Sequence, residues 1–173
     1  MINYFPQFRA IPMQESHAQE ICSWAYSPPY DIYSFGPWEQ MKALELEFGD
    51  PQLRRDQYLS VLTETGELAG FAQIFPMLNV SRLGIGMRPD WCGQGLGKSF
   101  VQAVVHEALR RYPYHEVDLE VLTWNERAIR TYEKAGFRIT DQYERRTPEG
   151  MRSFYCMVYH NDESHSTNEI KYE

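Results

Sequence analysis

Along most of this chain the apolar positions recur with one of two periods, about 3.6 or two, and the switches between them cut it into short elements. Phe8–Pro12 reads as a first strand. Ala18, Ile21, Cys22 and Ala25 share one face of a helix over Glu15–Tyr26, which Ser27-Pro28-Pro29 breaks. The spacing predicts a second helix over Trp38–Phe48, stopped at Gly49-Asp50-Pro51. Tyr58–Thr63 and Leu68–Phe75 alternate as strands around a turn at Glu64-Thr65-Gly66-Glu67, and Ser81–Met87 is a further strand. Phe100, Val101, Val104, Val105, Ala108 and Leu109 give Gly97–Arg111 an apolar stripe at helical spacing. His115–Leu122 returns to alternation, with Val117, Leu119 and Val121 on one face and Asp118 and Glu120 on the other.

Asn125 then stands at an N-cap position, Ala128, Ile129, Tyr132 and Ala135 follow at helical spacing, and Gly136 stands at C′. Phe137–Arg145 and Arg152–His160 form a last hairpin about Pro148-Glu149-Gly150, and Asn161–Glu173 is polar. The order β-α-α-β-β-β-α-β-α-β-β, with mostly hairpin-linked strands, predicts an α+β fold around a mixed sheet. No repeat or linker divides the chain, so one domain is expected over 1–160 with a tail at 161–173.

Gly93, Gly95 and Gly97 alternate in the loop between the Ser81–Met87 strand and the Gly97–Arg111 helix. Glycine lets backbone turn sharply and approach a ligand closely. The free N–H groups and positive dipole end of the helix that follows suit a phosphate. A nucleotide P-loop needs Gly-x4-Gly-Lys-Ser/Thr. Gly97-Lys98-Ser99 supplies the end, but the first glycine falls on Cys92. A dinucleotide fingerprint needs Gly-x-Gly-x-x-Gly, and this spacing is Gly-x-Gly-x-Gly.

A third motif fits better. Met87-Arg88-Pro89 followed by Gly95-Leu96-Gly97 resembles the pyrophosphate-binding motif of the Gcn5-related N-acetyltransferases (the GNAT superfamily), with Cys92 in the usual Arg/Gln position. The segment from Leu119 to Phe137, with Asn125, Ala128-Ile129, Tyr132 and Gly136-Phe137, resembles the second half of that family's signature. The resemblance spans residues 68–160 well. It implies a mixed, mostly antiparallel sheet of six to seven strands flanked by helices, with a splayed parallel strand pair holding acetyl-CoA. By the same resemblance, Ile85, Met87, Cys92, Gly93, Gln94, Gly95, Leu96, Gly97, Lys98, Ser99 and Asn125 would contact the cofactor. Tyr132 would be the acid that protonates the leaving thiolate, although a tyrosine on an inner helix face also serves as core. Glu120 is the candidate base for the incoming amine, with ordered water as the alternative.

Trp24, Tyr26, Tyr30, Tyr33, Phe35 and Trp38 crowd into the segment that the resemblance places over the acceptor amine; Tyr30, Tyr33 and Trp38 are the expected contacts. Aromatic faces hold ammonium groups, though such clusters also pack as core. Asp31 and Glu39 could attract a cationic acceptor or simply be solvated.

Composition narrows the partners. A chain of 173 residues suits one full core, and a net charge of −7 argues against nucleic acid. Three cysteines without metal-ligand spacing give neither a disulfide framework nor a metal site. No apolar run reaches membrane length and Met1–Arg9 lacks a signal-peptide pattern, so a cytoplasmic enzyme, monomeric or homodimeric, is expected. A noncatalytic CoA-binding sensor on the same fold is the alternative reading, and a P-loop nucleotide-binding protein the third.

Overall fold

The structure is a computed structural model, and it describes residues 7–161. The polar tail expected at 161–173 lies, Asn161 apart, outside the described residues. Seven strands form one sheet: β1 (Phe8–Pro12), β2 (Tyr58–Thr63), β3 (Leu68–Met77), β4 (Val80–Met87), β5 (Glu116–Leu122), β6 (Phe137–Thr147) and β7 (Gly150–Tyr159). Their order is β1-β2-β3-β4-β5-β7-β6. Every neighbouring pair is antiparallel except β4 and β5, which run parallel. The expected α+β class, strand number and parallel pair are all present.

The sheet separates two cores. Along β2 the side chains alternate: Leu59 and Val61 join one core, Tyr58 and Leu62 the other. The first core lies under α4 (Gly97–Arg111), whose Phe100, Val101, Val104, Val105 and Ala108 are buried, and under α5 (Glu126–Ala135). The second lies under α1 (Glu15–Cys22), α2 (Trp38–Ala43) and α3 (Pro51–Asp56), around a fully buried Phe48. Removing such a side chain costs roughly 3–5 kcal/mol, so each helix layer is anchored by its own aromatic and aliphatic contacts.

The second half of the chain follows its periodicity closely, while the first half departs from it. Helix α1 ends at Cys22 rather than running to Tyr26, because the chain leaves the helix at Ser23, whose hydroxyl donates to the Glu20 carbonyl at 2.6 Å. Helix α2 ends at Ala43 rather than Phe48. Glu45 and Glu47 there adopt left-handed backbone, φ 49° and 48°, and a short 3-10 turn covers Glu47–Gly49. Gly49 lies so close to the Met41 carbonyl that no Cβ would fit. Asp50-Pro51, read as a stop, also starts α3: the Asp50 carboxylate accepts hydrogen bonds from the N–H groups of Gln52 (2.7 Å) and Leu53 (3.2 Å), with proline in the first turn.

Candidate active site

The sheet tears open between its two parallel strands. Pairing of β4 with β5 runs from Val80↔Glu116 to Leu83↔Leu119 and stops. Past that rung, Gly84–Met87 and Glu120–Leu122 diverge, and a cavity of about 850 Å³ opens between them. An ion cluster sits at the fork. Arg82 holds Asp118 through two hydrogen bonds, 3.0 and 2.7 Å, and donates a third to Glu120 at 2.7 Å.

One end of the cavity is built by the glycine loop and the helices α4 and α5. Gly93 and Gly95 have φ of 77° and 78°, and the space where a side chain would project is open at both. Gly97 differs: a Cβ there would stand 2.6 Å from the Thr131 side chain on α5, so this glycine lets the two helices pack closely. The first turn of α4 has no side-chain cap, which leaves its N–H groups available to an anion. Lys98, Arg127, Arg130 and Lys134 line this end and make it cationic. The glycine cradle, uncapped helix start and four cations together fit a phosphorylated ligand such as acetyl-CoA.

The expected cofactor contacts divide into two groups. Ile85, Met87, Cys92, Gly93, Gly95, Gly97, Lys98 and Asn125 line the cavity. Gln94, Leu96 and Ser99 do not: Gln94 braces the loop by donating to the Asp90 carbonyl at 2.7 Å, and the Ser99 hydroxyl donates to the Leu96 carbonyl at 3.1 Å. Cys92 points its thiol at the carbonyls of Met87 and Arg88, 3.8 and 3.5 Å away. Desolvation raises the pKa of that thiol, with Arg127 opposing and Asp90 adding, so it stays neutral rather than becoming a reactive thiolate. Asn125 is the predicted cap of α5, its Oδ1 accepting from the Ala128 N–H at 3.2 Å, while its amide nitrogen donates to the Tyr33 hydroxyl at 3.0 Å. Arg127, Arg130 and Lys134 escaped the sequence reading, though their i, i+3, i+7 spacing on one helical face is a legible signal.

Tyr132 lies on the cavity wall, half buried, with its ring against Phe137. Burial pushes its hydroxyl well above the usual phenol range, chiefly by desolvation and further by Tyr33, so it holds its proton at neutral pH. Glu120 also lines the cavity, but its carboxylate is already engaged. Oε1 accepts from Arg82 and from the Tyr143 hydroxyl at 2.6 Å, and Oε2 accepts from Arg145 at 2.8 Å. Three of about four acceptor positions are filled, and taking a proton would mean releasing one of these partners.

Among the expected acceptor contacts, Tyr30 and Tyr33 line the cavity, and Tyr30 lies under the Arg127 guanidinium at 3.8 Å. Trp38 does not. It is buried in the second core, with Lys42 and Arg54 over its ring, because α2 turns its first residue inward. Tyr26 takes a place on the wall instead and donates to the Met87 carbonyl at 2.6 Å. Asp31 and Glu39 lie away from the cavity, Glu39 pairing with Lys42 at 3.6 Å. Glu47, Tyr58 and Gln73 line the end remote from the glycine loop and carried no sequence signal, since Glu47 fell inside an expected helix.

A model of the acetyltransferase (GNAT) family matches residues 18–137, from α1 to the start of β6. The chain belongs to this family. As a GNAT member it is an acetyl-CoA-dependent N-acetyltransferase, and its acceptor is an amine. Solved structures share the fold. A spermidine N-acetyltransferase SpeG chimera from Vibrio cholerae and hSSAT superposes with a TM-score of 0.68 at 13% identity, covering 88% of this chain and 95% of that one. The structure of AAC(6')-Ib in complex with Parmomycin and acetyl-CoA gives 0.67 at 21% identity, covering 94% and 99%. No curated protein matches this GNAT chain in sequence. Among the described residues, no helix is long and apolar enough to cross a membrane, and no His, Cys, Asp or Glu cluster is set to hold a metal ion.

Proposed function

We propose that this acetyltransferase joins acetyl-CoA and a primary amine in one ternary complex, with direct attack at the fork between β4 and β5. The observation that carries this reading is the Tyr132 side chain on the wall of a cavity opened by the torn parallel pair, with a cationic glycine loop at one end. Acetyl-CoA, when bound, supplies the thioester carbon that the free amine attacks. The main-chain amides of the Cys92–Gly97 loop and of the first turn of α4 would hold its pyrophosphate, with Lys98, Arg127, Arg130 and Lys134 as counter-charge. Tyr132 would donate its hydroxyl proton to the departing sulfur and regain one, through water, from the nitrogen as the amide forms. Glu120 braces the fork in its bonds to Arg82 and Arg145. The acceptor's ammonium proton leaves to water in the open cavity rather than to this carboxylate.

The test is thiol release from acetyl-CoA with a panel of amines. Tyr132→Phe keeps the ring and removes the hydroxyl, so kcat is expected to fall roughly a hundredfold or more while CoA affinity and melting temperature hold. Unchanged turnover in this variant removes Tyr132 from the chemistry. Tight CoA binding with no turnover of any amine by the wild type leaves a sensor rather than an enzyme.

A further inference from the structure

The two ends of the cavity carry opposite character. Its lining cations all belong to α4 and α5. Two acids line it, Glu120 and Glu47. Glu120 is neutralised by Arg82 and Arg145. Among the described residues no lysine or arginine pairs with Glu47, whose neighbour on the cavity wall is Tyr58.

Sheet register relates Glu47 to the fork. Tyr58 on β2 stands opposite Gln73 on β3, and Gln73 stands opposite Gly84 on β4, the first residue past the last paired rung. The row from Gly84 to Tyr58 crosses two strand spacings, about 10 Å. Gly84 contributes no side chain to obstruct it, and Gln73 lines it with an amide that donates to Gln57 at 2.9 Å. Phe35, Phe71 and Tyr58 supply aromatic walls. Glu47 ends the row in a left-handed backbone, φ 48°, that a non-glycine residue adopts at a conformational cost. The surrounding packing, with Phe48 and Gly49 buried beside it, holds that conformation in place.

Glu47 lines the cavity while remaining exposed, and among the described residues no cation beside it balances its charge. Partial desolvation raises the Glu47 carboxyl above its ordinary range, the nearby Tyr58 hydroxyl opposing it. An arriving ammonium would supply the missing partner, and aromatic walls favour the same charge.

We propose that Glu47 anchors a second ammonium group of the acceptor, which makes diamines and longer polyamines the preferred substrates over monoamines. The proposal rests on acetyl transfer at the fork as read above: one amino group reaches the β4–β5 gap while the other pairs with Glu47 across the Gly84–Gln73–Tyr58 row.

The experiment compares a series of α,ω-diamines of rising length with the alkyl monoamine of each length, in wild type, Glu47→Gln and Glu47→Asp. Wild type is expected to favour the diamine at one best length. Glu47→Gln is expected to collapse the diamine-to-monoamine ratio of kcat/KM by roughly ten- to a hundredfold, mostly through KM, as for loss of a charged hydrogen bond. Glu47→Asp keeps the charge on a shorter arm and is expected to shift the best diamine to a longer one. An unchanged CoA-induced rise in melting temperature shows that each variant is folded. A ratio that stays put in Glu47→Gln overturns the anchor. Calorimetric titration of the best diamine into CoA-loaded protein separates this from the transfer reading. Glu47-dependent diamine binding without turnover upholds the anchor and sinks the transfer; a diamine that binds wild type no better than its monoamine sinks the anchor whatever the turnover.

Discussion

The two ends of the cavity are built for recognition by different means. At the glycine loop the main chain is what is on offer: N–H groups of a regular helix start, two glycines in left-handed conformation, and cations on one face of α5. At the Glu47 end it is side chains, displayed by a segment whose path depends on two non-glycine residues with positive φ. Backbone recognition suits a constant ligand, because it needs only geometry. Side-chain recognition suits a ligand that differs from one relative to the next, because one substitution changes the chemistry without disturbing the sheet. The difference teaches where specificity in this enzyme is free to vary.

The comparison is broken most forcefully at the loop. Gly95→Val places a β-branched residue at φ 78° in space that is open without ligand. Expected is a severe loss of acetyl-CoA affinity, about a hundredfold or more, with a stability cost on the order of 1–3 kcal/mol. Gly97→Val meets Thr131 on α5 instead, so it should lower the melting temperature first, by overpacking worth about 1–3 kcal/mol. Equal losses of stability in both variants would erase the distinction between the two glycines. Calorimetric CoA binding and thermal melts on the same samples decide it.

A smaller effect is expected from Arg130→Ala. Its guanidinium faces the cationic end and pairs only loosely with Glu126, at 3.8 Å, with both side chains exposed. KM for acetyl-CoA should rise a few-fold, and the rise should shrink as salt is added, because exposed charges are screened over about 8–10 Å at moderate ionic strength. KM for the acceptor should hold. A change confined to the acceptor would show that the charges are not divided between the ends.

The smallest effect concerns pH. The folded-state pKa of Glu47 is raised above its ordinary value of 4.5. Between those two values the native state keeps a proton that the unfolded chain has lost, so stability falls as pH rises through the interval. Glu47→Gln has no proton to lose. The variant should melt with wild type near pH 4 and above it near pH 7, the gap opening as pH rises. A gap that narrows with rising pH would mean that the carboxylate is already well compensated.

How much of this was legible follows the same division. Helices α4 and α5 obey their apolar stripes, and Asn125 and Gly136 cap α5 as local rules demand, so the fold and the cofactor end could be read from spacing and motif. The first half could not. Glu45 and Glu47 look like helix formers, and only tertiary packing puts them in left-handed backbone. Asp50-Pro51 serves equally as a stop and as a start. Aromatic content announced a lid but not its facing: Tyr30 and Tyr33 turn to the cavity while Trp38 turns to the core, a choice made by where α2 lands on the sheet. Glu120 sat on the polar face as expected, yet nothing in its neighbourhood along the chain foretold that Arg82, Tyr143 and Arg145 would converge on it from two other strands.

Arg82 and Asp118 deserve a mechanical description. They face each other one rung before the last joined rung, so the opening in the sheet is a crack whose tip carries a bolt. Lengthening the crack by two rungs would part a bidentate ion pair whose carboxylate is only 7% exposed, and would strand that charge away from water. A crack in a laminate stops where the next bond is stronger than the load behind it. Here the stopping point is an electrostatic fastener, and the depth of the slot is therefore set by two charges rather than by the size of whatever enters it.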